Sequence, residues 1–226
     1  MTARELGVGR GLTAAIGSGG KTTLLHRLAG ELSAQGSVIL TTTTHIRPSD
    51  VLPTLVSPSE RALRDALASR RAVCVGSPAQ DGKLAAPALP FSLLAALADF
   101  VLVEADGSRG LPLKAHAAHE PVVPEGCARV ICVVGAAGLN RPIFEAVHRP
   151  ALFCARVGTE PDDLATPERV AALLNAEALG DIYYVNQCDA PDALPNALRL
   201  AALLQKPAVF GADDPVDRST SHPGGD

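Results

Sequence analysis

Short apolar runs alternate along the chain with stretches of helical period. Leu12–Ile16, Val38–Thr42, Ala72–Val75, Phe100–Glu104, Arg129–Val134, Ile182–Val185 and Ala208–Phe210 are mostly continuous rather than alternating. A continuous run is how a strand buried on both faces reads, and it points to a parallel sheet covered by helices. Helices are predicted over Thr22–Gln35, Ser59–Ser69, Ser92–Asp99, Pro167–Asn175 and Asp192–Leu204. In the first of them Leu24, Leu25, Leu28 and Leu32 fall on one face. Thr166-Pro167-Glu168 reads as an N-cap followed by Pro at the first helical position. The β-α-β-α rhythm predicts an α/β fold, a doubly wound and mostly parallel sheet with helices on both faces.

Two stretches break that rhythm. Residues 78–90 are rich in Ala, Pro and Gly, and read as a surface loop or a weak hairpin around Asp81-Gly82. Residues 107–125 are polar, carry histidines and have no period. Long ordered loops in compact domains are uncommon and tend to be functional. The Ser, Pro, Gly and Asp of 213–226 predict a disordered tail, which leaves 1–212 as a single α/β domain.

Composition narrows the class. A length of 226 residues suits one α/β domain. The 47% apolar content supports a core, and 3% aromatics with no Trp means a core of Ala, Val and Leu. Lysine stands only at 21, 83, 114 and 206, so a lysine inside a motif is more informative than usual. The net charge of −4 and the absence of a basic run argue against a nucleic-acid partner. No apolar stretch approaches the roughly 18 residues of a membrane span. Met1–Gly11 does not have the pattern of a signal peptide. Five scattered cysteines with no C-x-x-C pair read as reduced, mostly buried thiols. The expectation is a soluble, cytoplasmic protein with no membrane partner.

The strongest chemical signal is Gly17-Ser18-Gly19-Gly20-Lys21-Thr22-Thr23, which follows an apolar run and opens an amphipathic helix. That is the context of a phosphate-binding P-loop, and it makes the expected fold P-loop NTPase-like. Glycines let successive N–H groups turn toward phosphate oxygens. The helix N-terminus adds partial positive charge. Lys21 can reach the β- and γ-phosphates, and the Thr22 hydroxyl suits Mg²⁺. The motif departs from its usual form in one place: Ala15 stands where the first glycine is normally found.

Glu104 ends an apolar strand, and Asp106 follows two residues later. An acid there can order Mg²⁺ beside the phosphate loop, so the expected metal residues are Thr22, Glu104 and Asp106. Thr43, Thr44 and His45 follow the second strand and emerge at the same edge, where they are candidates for contact with the γ-phosphate or a substrate. Asn186-Gln187-Cys188-Asp189 follows the sixth strand and resembles the N-K-x-D base-reading signature of GTPases, with Gln187 in place of the Lys. Asn186 and Asp189 are thus candidates for reading a base, with a helix cap at Asp189 or Asp192 as the plain alternative. ATP and GTP both remain open as the nucleotide.

Gly17–Thr23, Leu40–Ile46, Val103–Lys114 and His119-Glu120-Pro121 together resemble the YqeC family, over about 12–189. The resemblance implies an accessory role for selenium-dependent molybdenum hydroxylases, in maturing a selenium-containing molybdenum cofactor. It implies a selenium donor or molybdopterin cofactor, and a client hydroxylase, as partners. Read physically, Arg109, Lys114, His116, His119 and Glu120 gather on the loop after the Mg²⁺ acid, where they suit an anionic second substrate. Lys21, Glu104, Asp106 and Lys114 are the candidate catalytic residues. Three readings stand. One is an NTPase or phosphoryl-transfer enzyme, one a small-molecule kinase or ATP-dependent ligase, and one a non-catalytic, nucleotide-gated assembly factor.

Overall fold

The computed structural model describes residues 2–211. The chain runs β1 (Gly11–Gly17), α1 (Lys21–Leu32), β2 (Val38–Thr42), β3 (His45–Ile46), β4 (Thr54–Val56), α2 (Glu60–Ser69), β5 (Ala72–Pro78), β6 (Leu84–Ala85), α3 (Phe91–Leu97) and β7 (Phe100–Glu104). It continues through β8 (Leu113–Lys114), β9 (Arg129–Gly135), α4 (Ile143–Ala146), β10 (Val147–His148), α5 (Pro150–Val157), α6 (Pro167–Glu177), β11 (Ile182–Asn186), α7 (Ala193–Leu203) and β12 (Ala208–Phe210). All seven expected strands and all five expected helices form, with ends shifted by a few residues. The sheet order is β12-β11-β9-β1-β7-β2-β5-β6-β3, with β4 also on β5. Every pairing among β1, β2, β4, β5, β7, β9, β11 and β12 is parallel. β6 and β3 add an antiparallel edge, and Ser77↔Ala85 pairing makes 78–84 the hairpin suspected around Asp81-Gly82.

Helices lie on both faces, but unequally. From β1 the chain steps outward to β2 and then to β4; every later parallel step runs back the other way. Right-handed crossovers send those two directions to opposite faces. Accordingly α1 packs with Ile46 and Leu52 on one face, and it is the one helix in that core cluster. Residues of α2 and α3, and of α5 to α7, fill the opposite face. In α1, Leu24, Leu25, Leu28 and Leu32 are buried as their spacing predicts. Truncating one to Ala would cost roughly 2–5 kcal/mol. The α6 start also forms as read: Thr166 Oγ1 accepts from the Arg169 N–H at 3.4 Å, with Pro167 beside it.

Pro150–Val157 forms a helix that the apolar pattern does not predict. Residues 107–125 remain largely irregular, but β8 pairs with β10 in a small second sheet. The expectation for 213–226 lies outside the described residues. No helix among the described residues is long and apolar enough to cross a membrane.

The parallel register sets the site. Glu104 lies opposite Ala15 on one side and Thr42 on the other. Asn186 lies opposite Gly135. The carboxyl ends of β1, β2, β7, β9 and β11 thus share one edge, where the chain order reverses around β1; ligands favour such a place in open α/β sheets.

Candidate functional site

The turn after β1 is built from backbone that only glycine adopts easily. Gly17, Gly19 and Gly20 have φ of 87°, 90° and 114°. A Cβ on Gly17 would lie 2.3 Å from the Val133 carbonyl oxygen, and one on Gly19 would lie 2.4 Å from the Gly135 backbone. The loop is therefore pressed onto the end of β9 as well as turned sharply. Gly20 is the N-cap of α1, and no side chain caps that end. The first bond along the helix is from the Leu24 N–H to the Gly20 carbonyl, 2.9 Å.

Lys21 is buried. Its Nζ donates to the Gly17 carbonyl at 2.6 Å and lies 3.0 Å from Asp106 Oδ1. That contact is ionic but off hydrogen-bond alignment, since Oδ1 makes no aligned bond. Asp106 Oδ2 accepts from the Gly17 N–H at 2.9 Å and from Lys114 Nζ at 2.9 Å, and lies 3.0 Å from His116 Nε2. Asp106 is 0% exposed. Burial pushes its carboxyl upward, but His116 and the two lysines outweigh that and hold it well below the usual carboxylate range.

From Asp106 the network runs two ways. Lys114 Nζ lies 2.7 Å from Glu120 Oε2 in an ion pair, and Arg149 donates to the same oxygen at 2.6 Å. Arg149, then burial in the opposite sense, then Lys114 set the Glu120 carboxyl at about 2. In the other direction His116 Nδ1 lies 2.6 Å from Glu177 Oε2, and the His116 backbone N–H donates to Glu177 Oε1 at 2.9 Å. Arg156 closes that arm on Glu177. Burial lowers the His116 pKa, but its bonds to Asp106 and Glu177 prevail, and the net direction is up.

Glu104 has different company. Its Oε2 accepts from Thr22 Oγ1 at 2.7 Å. Burial raises its pKa, opposed by Lys21 and the Thr22 bond. Thr42 Oγ1 and the Thr43 N–H both donate to the Glu104 carbonyl, at 2.8 and 3.1 Å. The Thr43 hydroxyl oxygen is buried and has no hydrogen-bond partner among the described residues. Thr44 donates its N–H to Thr42 Oγ1 at 2.9 Å.

The structure brings together Gly17, Ser18, Gly19, Gly20, Lys21, Thr22, Glu104, Asp106, Lys114, His116 and Glu120. Ser18 donates its N–H to the Val133 carbonyl at 2.8 Å and its hydroxyl to Leu111, so the 107–112 segment lies directly on the loop. Thr23 lies in the first turn of α1. His45, Arg109 and His119 are exposed, and among the described residues none hydrogen-bonds into the Asp106 network. Asn186 is buried, and its amide donates to the Gly19 carbonyl at 2.9 Å, which ties the 186–189 turn to the loop. Gln187 has φ 60° and turns its amide inward against Gly135. Asp189 is exposed, and Asp192 is the α7 N-cap position without a side-chain cap bond. Arg149, Arg156 and Glu177 were not singled out in the sequence. They join from 29 and 61 residues away along the chain, or through such a partner, and no local motif marks them.

The YqeC protein family model matches residues 13–151 of this chain. The chain belongs to the YqeC family. The uncharacterized protein YqeC of Escherichia coli (strain K12) is 39% identical over 155 residues, which cover 65% of this chain and 60% of that protein. The YqeC match takes in the glycine loop, Glu104, Asp106 and the 107–125 segment, and ends before Arg156, Glu177 and Asn186–Asp189.

Proposed function

We propose that the glycine loop binds the phosphates of a nucleoside triphosphate with Mg²⁺, in a P-loop NTPase-like fold, and that the protein hydrolyses or transfers the terminal phosphoryl. The observation that carries this is the start of α1: a left-handed glycine N-cap with no capping side chain, and a buried lysine at the first helical position. Uncapped helix N–H groups and their dipole suit an anion. The residues present also fit a hydrated Mg²⁺. Thr22 and Glu104 supply a hydroxyl and a carboxylate at the loop, and the Thr43 hydroxyl next to Glu104 in the sheet edge has an unmet hydrogen bond. Mg²⁺ commonly takes one or two protein oxygens and keeps several waters. When bound, it would neutralise charge on the phosphoryl oxygens.

In this reading Thr22 and Glu104 hold the metal, and Asp106 acts as a positioning residue, because its oxygens face Lys21, Lys114 and His116. Lys21 meets the phosphates. The family resemblance extends the proposal to maturation of a selenium-containing molybdenum cofactor for a client hydroxylase, with a selenium donor or molybdopterin as the second substrate. The test is equilibrium binding of ATP and GTP, each with and without Mg²⁺, to the wild type and to Lys21→Ala. Wild type is expected to bind with Mg²⁺ dependence, and Lys21→Ala to lose that binding with its fold intact. Unchanged affinity in Lys21→Ala would sink the reading, and a preference for ATP would move a kinase or ligase ahead.

A second reading, a nucleotide-gated assembly factor, is favoured by the packing of 107–112 on the loop through Ser18–Leu111 and Lys21–Ser108 contacts. A segment held that way answers to what the loop binds. Turnover that stays slow alone and rises with a client hydroxylase would separate it from a free-standing enzyme.

A further inference from the structure

Beyond His116, on the side away from Asp106, a cleft of about 380 Å³ opens between 116–120 and the end of α6. Its walls combine Ala117, Ala118, Ala176 and Leu179 with His116, Glu120, Arg156 and Glu177. Small-molecule sites have this size and this mixture of apolar wall and few convergent polar groups. We propose that this cleft is a second ligand site, for a small organic oxyanion, with the anion on Arg156 and a compact apolar body against Ala176 and Leu179.

Charge balance identifies the ligand class. The directly linked groups are Lys21, Lys114, His116, Arg149 and Arg156 against Asp106, Glu120 and Glu177. Leaving His116 out of the count, that is four cations for three carboxylates. Buried charge without a counter-charge is costly, so the network favours anions from outside. Both carboxylates facing the cleft are already neutralised: Glu120 by Lys114 and Arg149, Glu177 by His116 and Arg156. Arg156 is 34% exposed, and its bond to Glu177 uses one end of the guanidinium. A guanidinium has five donors and pairs in fork fashion with carboxylate or phosphate. The negative end of α6 does not oppose this, because Lys206 Nζ donates to the Ala178 carbonyl at 3.1 Å. His116 touches both the cleft-side Glu177 and Asp106, and Asp106 touches Lys21, so the cleft and the glycine loop share one chain of contacts.

The site itself does not depend on the nucleotide reading, and the test keeps them apart. Butyrate, formate and methyl phosphate are titrated as probes, and the His116 ring resonances are followed by NMR, assigned by their loss in His116→Gln. Wild type should show a saturable shift with at least one probe, and the one that binds better tells carboxylate from phosphate ester. Arg156→Gln should weaken that response by roughly tenfold or more, since a charge-assisted contact is lost. Leu179→Gln, which leaves the arginine in place, should weaken butyrate but not formate. Lys21→Ala, which reaches the cleft only through Asp106 and His116, should still give a saturable response even while it loses nucleotide. No saturable shift in the wild type, or an Arg156→Gln response equal to wild type, overturns the proposal.

Discussion

Glu104 and Asp106 stand two residues apart at the end of one strand, yet their surroundings are opposite. Asp106 touches Lys21, Lys114 and His116 and takes the Gly17 N–H. Glu104 bonds one neutral hydroxyl, that of Thr22. The first carboxyl is lowered and the second raised. Environments that push a pair of acids apart assign them different tasks. A carboxylate already enclosed by cations organises its neighbours, whereas one that bonds a hydroxyl and feels Lys21 without an ion-pair contact is short of a cation. That difference divides the site into a scaffold half around Asp106 and, in the reading proposed above, a metal-receptive half around Glu104.

The sharpest way to break the comparison is to delete each acid. Asp106→Ala leaves three cationic side chains facing one another without their shared counter-charge. Breaking a buried pair typically costs about 3–5 kcal/mol, and urea unfolding should show a loss of that order. Glu104→Gln keeps the Thr22 bond and removes a charge that burial disfavours, so its unfolding midpoint should stay near wild type or rise at neutral pH. Equal losses from the two substitutions would erase the distinction.

A middle-sized effect comes from His116, and its sign differs from that of Asp106. The folded pKa of His116 is raised. Its contribution is therefore fully present below the unfolded value of about 6.5 and is lost as pH rises through the higher folded value. Asp106 is lowered. Its contribution is present above the unfolded value of about 3.9 and is lost as pH falls toward the lower folded value. His116→Gln should cost about 1–3 kcal/mol near pH 6, as expected for buried bonds left unmade. The gap between mutant and wild-type melting temperatures should narrow on the alkaline side. A gap independent of pH from 5 to 9 would mean that His116 is not held as a cation.

The division between the halves also explains what could be read in the sequence. The strands were legible because a doubly covered parallel strand must be apolar throughout; Lys21 was legible from the glycine motif that opens α1, and Glu104 and Asp106 because they sit at or just past a strand end. Lys114, His116 and Glu120 were visible as a polar cluster on an aperiodic loop. Their partners were not. Arg149 is delivered by the β8–β10 pairing, and Glu177 by the last turn of α6. Both depend on tertiary packing and look like ordinary surface charge in the sequence. The α5 helix was missed because Pro150–Val157 is short and lies between a left-handed Arg149 and Gly158, with too few turns to show a period.

A smaller effect should appear in metal dependence. Glu104→Gln should shift the Mg²⁺ titration of nucleotide binding to higher concentration by roughly tenfold or more, the scale of one lost charge-assisted contact. Metal-free nucleotide binding should change much less. A Mg²⁺ titration that does not move would return Glu104 to the scaffold half and leave the raised pKa as a consequence of burial alone.

The smallest structural effect is expected at Asp189, outside both halves. Its neighbour Asn186 is fixed to the Gly19 carbonyl, so the 186–189 turn is registered against the glycine loop even though Asp189 itself is exposed. Exposed substitutions usually change stability by within about 0.5 kcal/mol, and Asp189→Asn should leave the melting temperature unchanged. In the proposed nucleotide reading its consequence lies in base choice. A carboxylate accepts the two donors of the guanine edge, whereas adenine presents an acceptor there. Gln187 turns inward against Gly135 and offers no long stem to cover a base, so affinity should be modest even where selectivity holds. Losing one partner of a desolvated charged pair costs about 2–5 kcal/mol. Asp189→Asn should therefore lower GTP affinity and shift preference toward xanthosine triphosphate, whose extra carbonyl accepts from the new amide. If the wild type binds ATP as well as GTP and Asp189→Asn is indifferent to both, Asp189 is a turn residue. Asn186 then serves the loop alone, and the base is held by residues outside this turn.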